Sequence, residues 1–222
     1  MSCPSRYSDE YIAARLDYTL LSPTATKEDI EAGAAFVNKH GLASLCVASG
    51  WVGLASSLCD RVCSVIGFPH GNMCSHAKFS EAWHSMDFCA CELDVVINYG
   101  KFLNGDTDVI YRDLDDICSH AHERGVKVKA ILESCYYTPK QLKQACKLCV
   151  MTGVDWVKTS TGFASYGATP QDVEIMLEAV NGSGVGVKAS GGIRTYHEVA
   201  HYLDMGCSRI GASCYHNLCH GS

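Results

Sequence analysis

Three lysines sit among apolar residues, where a charged side chain is unusual: Lys129 in Val128-Lys129-Ala130, Lys158 in Trp156-Val157-Lys158-Thr159-Ser160, and Lys188 in Val185-Gly186-Val187-Lys188-Ala189-Ser190. Side chains along a strand alternate between its two faces, so apolar residues of one parity turn their neighbours to the other side. Leu93, Val95 and Ile97 thus turn Glu92, Asp94 and Asn98 inward, and Val128, Ala130 and Leu132 leave Lys129 and Glu133 inside. Val157 and Val187 do the same for Lys158 and Lys188. Burying ammonium groups together is costly, on the order of several kcal/mol each. Nucleophilic lysine chemistry gives a reason for that cost. A free lysine, with a pKa of about 10.4, is protonated at neutral pH, but a neighbouring cation and partial desolvation both favour the neutral amine. A depression of about 3 pH units would let such an amine condense with a carbonyl. Two plainer readings stay open: interior salt bridges of the three lysines with Glu92, Asp94 and Glu133, and lysines that merely hold an anionic substrate.

A second set of residues suits an anion. Gly191-Gly192 follows the Lys188 run, and Gly211-Ala212-Ser213 follows Arg209-Ile210 and opens an expected last short helix. Small residues let backbone amides approach a phosphate, and a helix N-terminus adds positive potential. His70, in Phe68-Pro69-His70-Gly71, is placed to touch substrate or to shape its loop. Two metal-like motifs are set aside. His197-Glu198-Val199-Ala200-His201 has zinc-protease spacing, but no Glu follows Glu198, Cys207 stands where an extended motif has its third histidine, and Val199 and Leu203 define the buried face of that helix. Cys146 and Cys149 form a C-x-x-C inside a helical pattern, with no second pair to complete a zinc site.

The elements that must position these groups alternate along the whole chain. Strand candidates are Leu16 to Leu20, Ser44 to Val47, Val62 to Gly67, Glu92 to Ile97, Lys127 to Leu132, Trp156 to Ser160, Val185 to Ser190 and Arg209 to Ala212. Helical patterns cover Lys27 to His40, Trp51 to Cys59, Ser75 to Cys89, Tyr111 to Arg124, Pro139 to Thr152, Pro170 to Val180 and Tyr196 to Met205, with a short segment at about 8–15 before the first strand. Thr26, Thr138 and Thr169 supply hydroxyl N-caps, and Gly41, Gly125, Gly153 and Gly206 suit C-terminal caps. Eight strand-helix units in 222 residues, a little under 28 each, predict an α/β fold, a (β/α)8 TIM barrel in one domain, with a doubly wound sheet as the alternative. Lys158 and Lys188 then fall near the C-terminal ends of successive strands, the face that carries active sites in such barrels.

Composition narrows the setting. Eighteen Lys+Arg against 24 Asp+Glu give a net charge of -6, which opposes general nucleic-acid binding. No apolar run reaches the roughly 18 residues of a membrane helix, and residues 1–9 are polar, so a cytoplasmic protein with no membrane association is expected. The 14 cysteines lie largely within apolar segments and read as reduced, buried thiols.

Six segments together resemble the deoxyribose-phosphate aldolase family, in the family's order and from Asp17 to Ser213. They are Leu16-Asp17-Tyr18-Thr19-Leu20-Leu21, Gly67-Phe68-Pro69-His70-Gly71, Glu92-Leu93-Asp94-Val95-Val96, Val157-Lys158-Thr159-Ser160-Thr161-Gly162, Val187-Lys188-Ala189-Ser190-Gly191-Gly192-Ile193-Arg194-Thr195 and Gly211-Ala212-Ser213. The resemblance implies a class I aldolase that reversibly cleaves 2-deoxy-D-ribose 5-phosphate to D-glyceraldehyde 3-phosphate and acetaldehyde, without metal or organic cofactor. It implies Lys158 as the Schiff-base lysine, Lys188 as the lysine that lowers its pKa, and Asp94 as the proton-relaying carboxylate. Asp17 and Cys46 match sugar-pocket positions, Thr161 belongs to the substrate-binding set, and Gly162, Gly191, Gly192, Gly211 and Ser213 fall in the phosphate-contacting turns. A homo-oligomer, dimer or tetramer, is likewise implied. A Schiff-base aldolase of another sugar phosphate and a non-catalytic sugar-phosphate-binding barrel are the alternatives. Phe163 stands where some members carry a phosphate-facing lysine, Cys214 replaces a second serine, and the C-terminal tyrosine of some members is missing.

Overall fold

A computed structural model describes residues 6–213. The expected last short helix after Ser213 and the Cys214 position lie outside the described residues, as does most of the polar segment 1–9. Eight parallel strands pair in sequence order and close on themselves. They are β1 Leu16–Leu20, β2 Ser44–Ala48, β3 Val62–Ile66, β4 Glu92–Val96, β5 Lys127–Ile131, β6 Trp156–Lys158, β7 Gly186–Ser190 and β8 Arg209–Ala212. β8 returns to β1 through the register Asp17↔Gly211, so the doubly wound alternative is ruled out. The helices are α1 Asp9–Ala13, α2 Lys27–His40, α3 Val52–Ser56, α4 Ser75–Asp87, α5 Tyr99–Leu103, α6 Thr107–Glu123, α7 Pro139–Met151, α8 Pro170–Val180 and α9 Tyr196–Met205.

Local chemistry explains the starts. Thr26, Thr138 and Thr195 each close a reciprocal capping box, with Asp29, Gln141 and Glu198 respectively. Gly41 and Gly206 end α2 and α9 in the left-handed region. At three places where elements differ from the sequence expectation, a side chain intervenes. The expected 51–59 helix stops at Ser56, and the Ser57 hydroxyl bonds back to the Leu54 carbonyl at 2.7 Å. β6 ends at Lys158 because Thr159 Oγ1 takes over the pairing, donating to the Ser190 carbonyl and accepting from the Ser190 amide, both at 3.0 Å. Asn98 does not line the barrel. It caps the unanticipated α5, its side-chain oxygen accepting from the Lys101 amide at 3.1 Å.

The apolar core lies between the strands and the helices. Leu45, Val62, Leu93, Val95, Val128, Val157, Val187 and Ile210 pack outward against Ile30, Val37, Leu114, Ile117, Leu142, Val173, Met176 and Val199, all buried. Among the described cysteines all are free thiols and seven are buried, whereas Cys74 and Cys89 are exposed. This outer core also hides an ion pair that parity did not reveal. Lys78 of α4 donates to Asp113 of α6 at 3.2 Å, with their side chains 1% and 4% exposed. Burial pulls the Lys78 ammonium's pKa down despite Asp113.

Removing one partner of such a pair strands the other charge, a loss of about 3–5 kcal/mol. Asp113→Ala is therefore expected to lower the urea-derived unfolding free energy by about 3 kcal/mol, and adding Lys78→Met in the same chain to recover most of it. A loss under about 1 kcal/mol in the single variant would mean that the ammonium finds water.

Candidate active site

The closed barrel turns alternate residues of every strand onto one interior, and pairing register decides which of them meet. Lys158 and Lys188 are direct partners on β6 and β7, as are Asp94 and Lys129 on β4 and β5. Lys188 is also level with Arg209 on β8. The result is a buried cluster of four cations, Lys129, Lys158, Lys188 and Arg209, around three carboxylates, Asp17, Glu92 and Asp94.

Asp94 is its centre. Its Oδ2 accepts from Lys158 Nζ at 2.7 Å and Lys188 Nζ at 2.8 Å, while Oδ1 accepts from Lys129 Nζ at 2.8 Å and the Cys63 thiol at 3.1 Å. Burial favours the neutral acid, but the three lysines outweigh it and hold the carboxyl well below the usual range. Asp17 is held low in the same way by Lys188, Lys129 and Arg209. Lys188 Nζ donates to Asp17 Oδ2 as well, and although burial disfavours its charge, Asp17 and Asp94 raise its pKa. It is a firmly held cation. Arg209 bridges Asp17 and Glu92 at 2.7 Å each and lies 4.9 Å from the Trp156 ring centroid.

Above this cluster opens a cavity of about 420 Å³ at the C-terminal ends of the strands. Lys158 is the only cluster member on its wall. Thr161, Gly162, Gly191, Gly192, Gly211 and Ser213 also line it, as does Arg194. Gly162, Gly191 and Gly192 hold φ of +88°, +86° and +81°, a backbone that residues with a β-carbon rarely adopt. Gly211 serves the cluster directly: a β-carbon there would lie 2.9 Å from Ser190 Cβ and 3.1 Å from Lys188 Cε. Phe163 is on the wall too and meets Phe68 edge-on at 5.3 Å.

Asp17 and Cys46 lie beneath the cavity, fully buried, rather than on its wall. Cys46 is level with Cys63, and the neighbouring Cys63 thiol lowers its pKa, while burial raises that of Cys63. Cys46, Cys63 and Asp94 have ligand atoms within 4.8 Å of one another. Three ammonium groups already occupy Asp94, so the local field opposes a divalent cation there. Glu133 is not a lysine partner: its carboxylate accepts from the Thr161 amide at 3.2 Å and from the Thr161 hydroxyl. The salt-bridge partners are the expected Glu92 and Asp94, with Asp17 in the place of Glu133. Arg209 and Cys63 were missed, although each alternates inward with apolar neighbours, Ile210 and Val62, facing out. His197 and His201 are exposed, and Glu198 is engaged in the α9 capping box.

Similarity to known proteins agrees with this geometry. A profile for the DeoC/LacD family of aldolases matches residues 13–220. The deoxyribose-phosphate aldolase of Thermococcus gammatolerans is 43% identical over 208 residues, covering 91% of this chain and 92% of its own. That of a Thermoanaerobacter species is 41% identical over 207 residues, with 91% and 92% covered. Among solved structures, the tetrameric deoxyribose phosphate aldolase of Aeropyrum pernix superposes with a TM-score of 0.85 at 35% identity, over 93% of this chain and 88% of that one. An aldolase profile across nearly the whole chain, relatives above 40% identity and a shared closed barrel lead to one conclusion: the chain belongs to the DeoC/LacD aldolase family, among the deoxyribose-phosphate aldolases, which makes it a carbon-carbon lyase.

Proposed function

We propose that the chain cleaves 2-deoxy-D-ribose 5-phosphate reversibly to D-glyceraldehyde 3-phosphate and acetaldehyde through a Schiff base on Lys158. The observation that carries this reading is the sharing of Asp94 Oδ2 by Lys158 and Lys188, with only Lys158 reaching the cavity. Four cations against three carboxylates leave the cluster one positive charge in excess, and release of a single proton makes it neutral. Lys158 is the member that presents its nitrogen to a substrate.

The Lys158 amine adds to the C1 aldehyde, giving a carbinolamine, which loses water to become a protonated imine. Acetaldehyde carries off two carbons, so the bond that breaks is C2–C3. Its electrons flow into the imine to give an enamine, and the C3 hydroxyl loses its proton to become the aldehyde of the other product. Protonation of the enamine at C2 and hydrolysis release acetaldehyde and restore the amine. Once Lys158 is engaged, its bond to Asp94 is given up, and the freed position on Oδ2 accepts from the carbinolamine hydroxyl or a water. Lys188, still bound to Asp17 and Asp94, stays charged beside the reacting nitrogen and disfavours a second cation there. The left-handed glycines 162, 191 and 192, with Ser213 and Arg194, suit the phosphate.

No metal or organic cofactor enters this scheme, because the imine cation is the electron sink. A cytoplasmic homo-oligomer acting on small molecules, with neither nucleic acid nor membrane as partner, completes the proposal. The tetrameric relative supports the assembly. No helix among the described residues is long and apolar enough to cross a membrane.

Incubation with acetaldehyde and borohydride is expected to leave a reduced two-carbon adduct that peptide mass mapping locates on Lys158. An unmodified Lys158 would sink the Schiff-base reading and favour a binding barrel. Asp94→Asn should still bind substrate but lose turnover by at least about 100-fold, and wild-type turnover would remove Asp94 from the mechanism. Lys188→Leu takes away the neighbouring cation, so the pH midpoint of acetaldehyde trapping should move upward and trapping at neutral pH should slow. A midpoint that stays or falls would contradict that role.

A further inference from the structure

Among the described residues, Glu133 is the one buried carboxyl at the top of the barrel that the proposed chemistry leaves unused. It follows β5, is 1% exposed, and sits at φ +57°, ψ +67°, a left-handed backbone that a β-carbon disfavours. Among the described residues only Cys89, at the end of α4, shares a positive φ without being glycine. Such strain persists where surrounding contacts over-determine it, and it clusters at functional sites. A glycine at 133 would adopt the same backbone freely, so the side chain is the feature that accounts for the residue.

That side chain makes one kind of contact. Oε1 and Oε2 accept from the Thr161 amide at 3.2 and 3.3 Å, and Oε2 also accepts from Thr161 Oγ1. Thr161 Oγ1 in turn accepts from the Phe163 amide at 3.1 Å. An ionised carboxylate only accepts, so both donors of Thr161 are turned away from the cavity, and the turn running through Gly162 to Phe163 is fastened from behind. Thr161, Gly162 and Phe163 all line the cavity with Lys158. The next residue secures the same junction: the Ser134 amide donates to the Thr159 carbonyl, and its hydroxyl donates to Asp172 at the start of α8, both at 2.9 Å.

We propose that Glu133 is a positioning residue for anion recognition: by holding both donors of Thr161 it fixes the 161–163 turn in the shape that receives the substrate's phosphate. The inference rests on the aldolase reading above and adds a residue to it. Burial pushes the Glu133 carboxyl up, whereas its bonds from Thr161 and the charges of Lys158 and His70 favour the ionised form. A neutral amide in its place loses the charge-assisted pair and brings a donor against the Thr161 donors.

The test compares a step that needs phosphate with one that does not. In Glu133→Gln, KM for 2-deoxyribose 5-phosphate should rise about tenfold, while borohydride trapping of acetaldehyde on Lys158 stays within about twofold of wild type. Glu133→Gly, which relieves the backbone strain while deleting the carboxylate, should show the same split, and it serves if the amide variant folds poorly. Adding Glu133→Gln to Thr161→Val should raise KM less than about twofold further, because the carboxylate acts through Thr161. An unchanged KM, a parallel loss of trapping, or full multiplication of the two effects overturns the proposal. Failure of the wild-type chain to trap acetaldehyde would overturn the aldolase reading instead, so the two failures are distinguishable.

Discussion

The structure depends on one carboxylate holding three ammonium groups and a thiol. Each oxygen of Asp94 takes two donors, at distances between 2.7 and 3.1 Å. Without it, Lys129 and Lys188 would keep only Glu92 and Asp17, and Lys158 would lose its carboxylate partner in a space from which water is shut out. With it, two lysines come to rest on the same atom. Apolar residues could fill the interior more cheaply, as barrels of this kind ordinarily do. The proposed chemistry gives the charged interior a use, because it requires one of its protons to leave.

Architecture and chemistry are separated by strand parity. The outward residues of β1 to β8 join the helices in an apolar shell that carries stability, and the inward residues carry charge. Closure is what makes this separation work. In an open sheet Asp17 on β1 and Lys188 on β7 would sit near opposite ends, whereas the β8–β1 pairing brings them within bonding reach. The small residue at 211 has the same origin, since the strand that closes the ring passes directly over the Lys188 side chain.

Parity was legible in the sequence, and position around the ring was not. Apolar neighbours told which way Lys129, Lys158, Lys188, Glu92 and Asp94 would face, and capping residues located the helices to within a few positions. Partner choice needs register between strands remote in sequence. Asp17 therefore joins the expected Glu92 and Asp94 as a lysine partner, while Glu133, two residues beyond the end of β5, stands above the cluster and binds Thr161. Asn98 shows the same limit, because inward parity ends where β4 ends and its side chain turns to cap α5. Lys78 and Asp113 escaped notice for a related reason: each looks like an ordinary residue of an amphipathic helix until two helices pack face to face. The histidine pair of α9 is the converse case, where helical periodicity alone placed both rings outside.

Cysteine at position 63 is part of the same logic. Asp94 takes Cys63 as its fourth donor inside the barrel, and the chemistry proposed above also requires it to release its bond to Lys158. A thiol is a weak donor, so Cys63 fills a lone pair without anchoring the carboxylate as a hydroxyl or an ammonium would. It also packs as a hydrophobe against Cys46 and Val65 in the small apolar cluster beside the charges. The carboxylate is held on one oxygen by Lys129 with the weakly donating thiol, while Lys158 and Lys188 share the other. An interior made only of strong donors would have locked every proton in place. The chemistry proposed for Lys158 needs one of them to move.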